Sequence, residues 1–173
     1  MERPACLLLL LAAVLAGCSA TAVRAQVLDA ETRRPIAGAV VLGVWTKIVG
    51  PLLYHHELVG VRETESDPAG RFELERLPSS GLDGDGDGQA ITVYKFGYIA
   101  WSNIYRFRGN LREDQRVPQE ILLERFPPGE SHQRHLGFIG FSTVDVLSFR
   151  EWTPKFRDAL EPEYELSRQE PPR

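Results

Sequence analysis

The chain is poor in the residues that carry redox and metal chemistry. It holds two cysteines, Cys6 and Cys18, and none after them. Beyond Cys18 there is no disulfide, no thiolate metal ligand and no thiol nucleophile. A fold without disulfides stands on its hydrophobic core alone. Positive charge is short as well, with 20 basic against 24 acidic residues and a net charge of −4. That balance, without any basic run, excludes a nucleic-acid footprint and an electrostatic membrane face. Long apolar runs are also missing. The stretch from Leu7 to Ala16 is too short to cross a bilayer as a helix. The chain contains no Gly-x-Ser-x-Gly elbow, no His-Glu-x-x-His and no phosphate-binding glycine loop. The common hydrolase, zinc-peptidase and nucleotide-binding signatures are therefore absent.

What is present is strand-like. "AVRAQVLD", "AVVLGVWTK", "ELVGVRETES", "RFELERL", "ITVYKF", "YIAWSNIYRF" and "QEILLER" follow one another between turn signals. In "RFELE", Phe72 and Leu74 alternate with Arg71, Glu73 and Glu75, the period of a half-buried strand. Asp67-Pro68-Ala69-Gly70 is a turn, because proline presets φ and glycine accepts positive φ. About seven short strands at this spacing predict an antiparallel sandwich.

Three segments occur together in order: "VLDAETRRPIAGAVV", "TESDPAGRFEL" and "YKFGYIA". As an ordered set they resemble the carboxypeptidase regulatory-like domain, a transthyretin-like, Ig-like β-sandwich of seven strands. The resemblance covers roughly 100 residues, the size of such a domain. Gly97 ends the third segment where the backbone bends. Arg33-Arg34 stands where that family usually has a glycine in the turn. Membership implies a packing or binding module more than a chemistry.

Hydroxyisourate hydrolases share that fold and open on a His-Val-Leu-Asp strand. Here Gln26 takes the histidine's place, and glutamine is no general acid or base near neutral pH. That family's Tyr-Arg-Gly-Ser tail is also missing from this C-terminus. A hydrolase of the transthyretin-like type is accordingly the last of the readings.

The N-terminus has an arginine, the apolar core and then small residues, the shape of a secretory signal. It ends on Leu15-Ala16-Gly17-Cys18, which resembles the lipobox of bacterial lipoproteins. The resemblance implies a cut before Cys18 and acyl chains, palmitate among them, on that cysteine. The competing reading is ordinary secretion with a cut after Ala25. Ser19 resembles the residue that sends such lipoproteins to the outer membrane of Gram-negative bacteria. The expected organisation is a signal over 1–17, an anchor linker over 18–22, a sandwich over 23–126 and a helical, partly disordered extension over 127–173.

"GLDGDGDGQA" is the most metal-like stretch. Asp83, Asp85, Asp87 and Gly88 match the first half of a calcium loop, but its twelfth position is Tyr94, which cannot ligate as a bidentate glutamate does. Asp-Gly is also the strongest short hairpin signal. Two readings stand: a solvated turn, or a weak calcium site with affinity on the order of 10⁻⁴ to 10⁻³ M. No other cofactor is expected.

His55-His56-Glu57 is expected in a loop. His132 and His135 are spaced to share one helix face, where imidazoles can share zinc, but no third ligand is visible. The bland reading is local bonding or solvent exposure. Tyr94, Phe96, Tyr98, Trp101 and Tyr105 suggest either a carbohydrate platform or, more simply, core.

Downstream, Thr153 and Pro154 read as N-cap and first helical residue. Phe156, Ala159 and Leu160 lie on one face, and Pro162 is expected to interrupt the helix. The whole reads as an envelope-anchored, non-catalytic lipoprotein acting as a structural or protein-interaction module. The alternative is a calcium- or glycan-binding module built on the Asp-Gly loop. The expected partners are the membrane, through the anchor, and an envelope protein or glycan, with no nucleic acid.

Overall fold

A computed structural model describes residues 22–49, 55–77, 88–143 and 153–171 of the protein. In chain order the elements are β1 (Ala22–Asp29), β2 (Val40–Val49), β3 (His55–Glu65), β4 (Arg71–Glu75), β5 (Gly88–Tyr94), β6 (Trp101–Ser102), β7 (Glu120–Leu123), α1 (His132–Ser142) and α2 (Pro154–Arg168). The strands form two sheets, ordered β4-β1-β7 and β3-β2-β5-β6. Among the described residues the fold is mainly β, with two sheets and two helices.

The expectation of a wholly antiparallel arrangement is corrected at one pairing. β1 and β7 run parallel, with Val27 opposite Ile121, while β1–β4, β2–β3, β2–β5 and β5–β6 are antiparallel. A parallel pair needs a long crossover. Here the chain passes through the whole four-stranded sheet before β7 returns beside β1.

β2 reads without alternation, and the reason is burial on both faces. Val41 and Trp45 join one buried cluster with Val23 and Val27 of β1, Phe72 and Leu74 of β4, and Ile121 and Leu123 of β7. Val40, Leu42 and Val44 join a second cluster with Tyr94, Ile139, Phe156 and Leu160. The helices of the extension expected over 127–173 thus cover the four-stranded sheet as a layer of their own. β4 alternates as expected, with Phe72 and Leu74 buried and its three charged residues exposed.

The strand expected over "YIAWSNIYRF" is reduced to Trp101–Ser102. Side chains take over the ladder at that point. Asn103 Oδ1 accepts from Ile91 N–H at 2.7 Å, and its amide donates to the carbonyls of Gln89 and Gln115 at 3.0 and 2.8 Å. Ser102 Oγ accepts from Ile104 N–H at 3.2 Å and turns the chain away. His55-His56-Glu57, expected in a loop, opens β3 instead, paired with the end of β2. The side chains of His55 and His56 lie outside the described residues, and Glu57 pairs with Lys47 at 3.1 Å.

Pro162 does not break its helix: α2 runs unbroken for 15 residues. Pro162 sits on the exposed side, while Phe156, Leu160, Glu163 and Ser167 bury the opposite face and hold both halves against the molecule. Thr153 is the N-cap but makes no side-chain capping bond. Glu63 of β3 caps the helix instead, accepting from the N–H groups of Lys155 at 3.2 Å and Phe156 at 2.8 Å. A carboxylate there also meets the positive end of the helix dipole.

The expected turn before β4 is tight. Asp67 Oδ1 accepts from the N–H groups of Ala69 and Arg71, both at 2.8 Å, and Gly70 has φ +74°. A Cβ at Gly70 would stand 2.5 Å from the carbonyl oxygen of Val27. Gly97 has φ +87° with nothing within 4 Å of such an atom. The two glycines separate backbone strain from collision. Gly97→Ala should cost about 1 kcal/mol, and Gly70→Ala about 3 kcal/mol. Equal losses in denaturant unfolding would remove the collision from the account.

Candidate functional site

The histidine pair of α1 does share a face, and the face is turned inward. His132 Nδ1 lies 2.6 Å and His135 Nδ1 3.0 Å from the same oxygen, Oε1 of Glu163 on α2. Tyr94 of β5 donates its hydroxyl to Glu163 Oε2 at 2.9 Å. Tyr94 and His135 are 0 % exposed and Glu163 is 1 % exposed. On the far side of its ring, His135 Nε2 accepts from Ala100 N–H at 2.9 Å. That nitrogen therefore carries no proton, and the Nδ1 proton points at Glu163. Phe126 stacks on His132 at 4.6 Å, closing the outer side.

Burial opposes ionisation of Glu163, but the hydrogen bonds from His135, His132 and Tyr94 outweigh it, and the carboxyl is held below its usual range. Burial, followed by the neighbouring carboxylate, pushes the Tyr94 phenol up. The donors that surround Glu163 belong to β5 and α1. The arrangement is a lock between helices and sheet.

The third group that zinc would need is therefore present, yet the set does not fit a metal. Both ring nitrogens of His135 are occupied, one by the Ala100 amide and one by its own proton toward Glu163. Among the described residues, no group of three or more His, Cys, Asp or Glu is arranged to hold a metal ion. Asp83, Asp85 and Asp87, and the lipidation candidate Cys18, lie outside the described residues.

Asp29 ends β1 in a second lock. Its Oδ1 accepts from the N–H groups of Glu31 at 3.0 Å and Thr32 at 2.8 Å. Its Oδ2 meets Tyr98 Oη at 3.0 Å and the Arg125 guanidinium at 2.9 Å. The Thr32 amide above all holds this carboxyl far below the usual carboxylate range. The turn it caps passes through Arg33 at φ 59°, so the left-handed residue sits where a glycine was expected. Gln26 points its amide at the carbonyl of Ala69, 2.8 Å away.

The aromatic run does not gather into a platform. Tyr94 faces the helices and Trp101 the inter-sheet core. Tyr98 bonds to Asp29, Tyr105 lies 4.6 Å from Phe141, and Phe96 stands 45 % exposed. The core reading holds for Tyr94 and Trp101.

A cleft of about 440 Å³ opens on the edge where the sheets meet, lined in part by Trp101, Arg106, Phe107, Arg112, Leu122 and Glu124. The 104–112 loop builds one wall, closed by Arg112 N–H on the carbonyl of Ile104 at 2.7 Å. Arg112 Nε donates to the carbonyl of Ser102 at 2.6 Å, and its guanidinium stands 5.1 Å from the centre of the Trp101 ring. Burial and the nearby Arg106 charge lower the Arg112 pKa, with Glu124 opposing them. β7 forms the other wall, where Ile99 N–H donates to the carbonyl of Glu124 at 2.8 Å.

Sequence reasoning did not find Glu163, Arg106 or Arg112. Glu163 had a signal: it lies on the apolar stripe of α2 with Phe156 and Leu160, a place where a carboxylate needs partners. The two arginines had none, because the loop that brings them to Trp101 has no periodic pattern.

No family model matches the chain, and no curated protein matches it. Among solved structures, a 9R-lipoxygenase from Cyanothece PCC8801 is similar at 15 % identity and a TM-score of 0.35, over 82 % of this chain and 25 % of that one. The chain spans a quarter of that structure's length, and a score this low assigns neither fold nor activity.

The two locks make stability depend on pH. Folded Asp29 and Glu163 resist protonation, so below the ordinary carboxylate range the unfolded chain binds more protons than the native one. Their contribution is complete above that range and is lost progressively as the pH falls below it toward their depressed folded values. Denaturant midpoints should fall progressively below about pH 5 and keep falling past about pH 3, less steeply for Asp29→Asn; identical slopes would contradict the Asp29 assignment. Tyr94→Phe, which leaves Glu163 one donor short, should cost about 2 kcal/mol in chemical denaturation. A cost near zero would show that the phenol is not part of the lock.

Proposed function

We propose that the chain is a lipid-anchored, non-catalytic module of a bacterial cell envelope. Its body is read as a carboxypeptidase regulatory-like, transthyretin-like β-sandwich that works by holding a partner. Support for the sandwich comes from seven strands in two sheets that share one buried cluster. The turns at Asp67–Gly70 and Gly97 fall where the resemblance expects them.

One observation carries the anchor. β1 begins at Ala22, and Val23 and Ala25 are buried in the inter-sheet cluster. Secretory cleavage after Ala25 would cut this strand and remove its pairing with β4 at Leu74 and Phe72. Cleavage before Cys18 leaves it whole. Lipid on Cys18 would then hold the domain close to the bilayer, since only a few residues separate the two. Multiple acyl chains give stable attachment, whereas a single one gives only marginal binding.

The non-catalytic reading draws on the carboxylates. Asp29 and Glu163, both held below the usual range, are fully engaged by donors inside the fold. Neither is placed to meet a substrate. A partner therefore has to be met at the surface, by an envelope protein or glycan.

Membrane fractionation of the wild type and Cys18→Ala tests the anchor. The wild type should sediment with membranes and require detergent for release, and Cys18→Ala should be soluble or remain unprocessed without incorporating labelled palmitate. Equal membrane retention and equal processing of the two would overturn lipid anchoring.

A further inference from the structure

We infer that the cleft beside Trp101 binds an acidic saccharide, with Arg106 and Arg112 holding its oxyanion and Glu124 accepting from its hydroxyl groups. This rests on the reading of the chain as a binding module and does not depend on the lipid anchor.

The first observation is a pair of like charges kept together. Among the described residues, neither Arg106 nor Arg112 forms an ion pair, whereas Arg24, Arg33, Arg108 and Arg125 each do. Arg112 has little freedom to move away, because Ser102 fixes its Nε and the Trp101 ring lies under its guanidinium. Two guanidiniums facing one space, one of them partly desolvated, present a fork for a carboxylate or phosphate. An oxyanion bound there relieves their repulsion.

The second observation is the composition of the walls. Phe107 and Leu122 line the cleft, and Leu122 is 39 % exposed. Flat apolar surface beside a few fixed polar groups is the usual make-up of a small-molecule site, and it suits the C–H face of a sugar ring. The volume of about 440 Å³ lies within the range of such sites.

The third observation is the acidic rim. Glu120 is held by Arg33, but Glu124 makes no ion pair among the described residues and lines the same cleft. A carboxylate facing the arginines rejects a polyanion and accepts hydroxyl donors. The preferred ligand is therefore a compact molecule with one anionic group and several hydroxyls. A carboxylate and a phosphate supply the same oxyanion, so a uronic acid and a sugar phosphate are separate arms of the test.

Calorimetric titration of the full-length protein in detergent, at low salt, uses glucuronate, glucose 6-phosphate, glucose, acetate and inorganic phosphate as probes. At least one acidic sugar should bind at least ten times more tightly than glucose, and ten times more tightly than acetate or phosphate alone. Whichever acidic sugar binds identifies the oxyanion. Arg112→Gln and Arg106→Gln should each weaken that binding at least tenfold. Arg106 is exposed, so Arg106→Gln keeps its melting temperature and stays informative even where Arg112→Gln unfolds. Binding of glucose as tight as its acidic forms, acetate or phosphate matching the sugars, unchanged affinity in Arg106→Gln, or no binding of any probe would overturn the proposal. Those failures leave the fractionation of Cys18→Ala untouched, so loss of the ligand and loss of the anchor are told apart.

Discussion

One buried carboxylate sets the terms for the helical half of this protein. A charged glutamate taken out of water is tolerable only when its lone pairs are filled by well-placed donors. Glu163 meets that condition with His132 and His135 from α1 and Tyr94 from β5. The condition is geometric as well as energetic. α1 must lie beside α2 with its histidine face inward, and both must rest on β5 at the level of Tyr94. Ala100 extends the chain of constraint by fixing the ring of His135. The surrounding apolar contacts of Leu42, Ile139, Phe156 and Leu160 supply most of the attraction but little direction. The polar network selects one seating among the many that an oily face would allow.

The same division recurs in the sheets. Apolar residues on both faces of β2 draw a second sheet and a helical layer together, and polar side chains then decide where strands stop. Asn103 replaces a strand rung with its own amide, and Asp29 ends β1 by gathering two backbone N–H groups. Both substitutions stiffen the edge where the sheets meet, through which Ile99 and Phe126 cross-pair with Glu124 and Gly97. The Trp101 cleft sits on this stiffened edge, so its arginines are presented by a fixed frame.

Two sets of charged groups stand in contrast. Asp29 and Glu163 are turned inward and satisfied, and their displaced titration reports structural bonds. Arg106 and Arg112 line a cleft and, among the described residues, form no ion pair. A perturbed pKa is often taken as the mark of a functional site. Here the strongest perturbations mark locks in the fold.

Local order was largely legible in the residues themselves. The alternation of Phe72 and Leu74, the Asp67–Gly70 turn, the bend at Gly97 and the N-cap position of Thr153 depend on interactions spanning a few residues, and period and turn chemistry carry them. That His132 and His135 share one helix face was legible for the same reason; that the face turns inward was not. What those histidines face was not, because Glu163 lies about thirty residues away and nothing local marks it as their partner. The parallel β1–β7 pairing, the continuity of α2 through Pro162, the shortening of β6 and the placing of Arg106 and Arg112 in one cleft with Trp101 share that origin. Each is decided by burial or bonding between distant segments, whose energies exceed local preference. Sequence alone determined the strand-rich character, the turns and the scarcity of thiols. Tertiary structure decided which polar groups are locked away and which remain free, because a side chain's role depends on the dielectric and the partners that only the assembled fold brings to it.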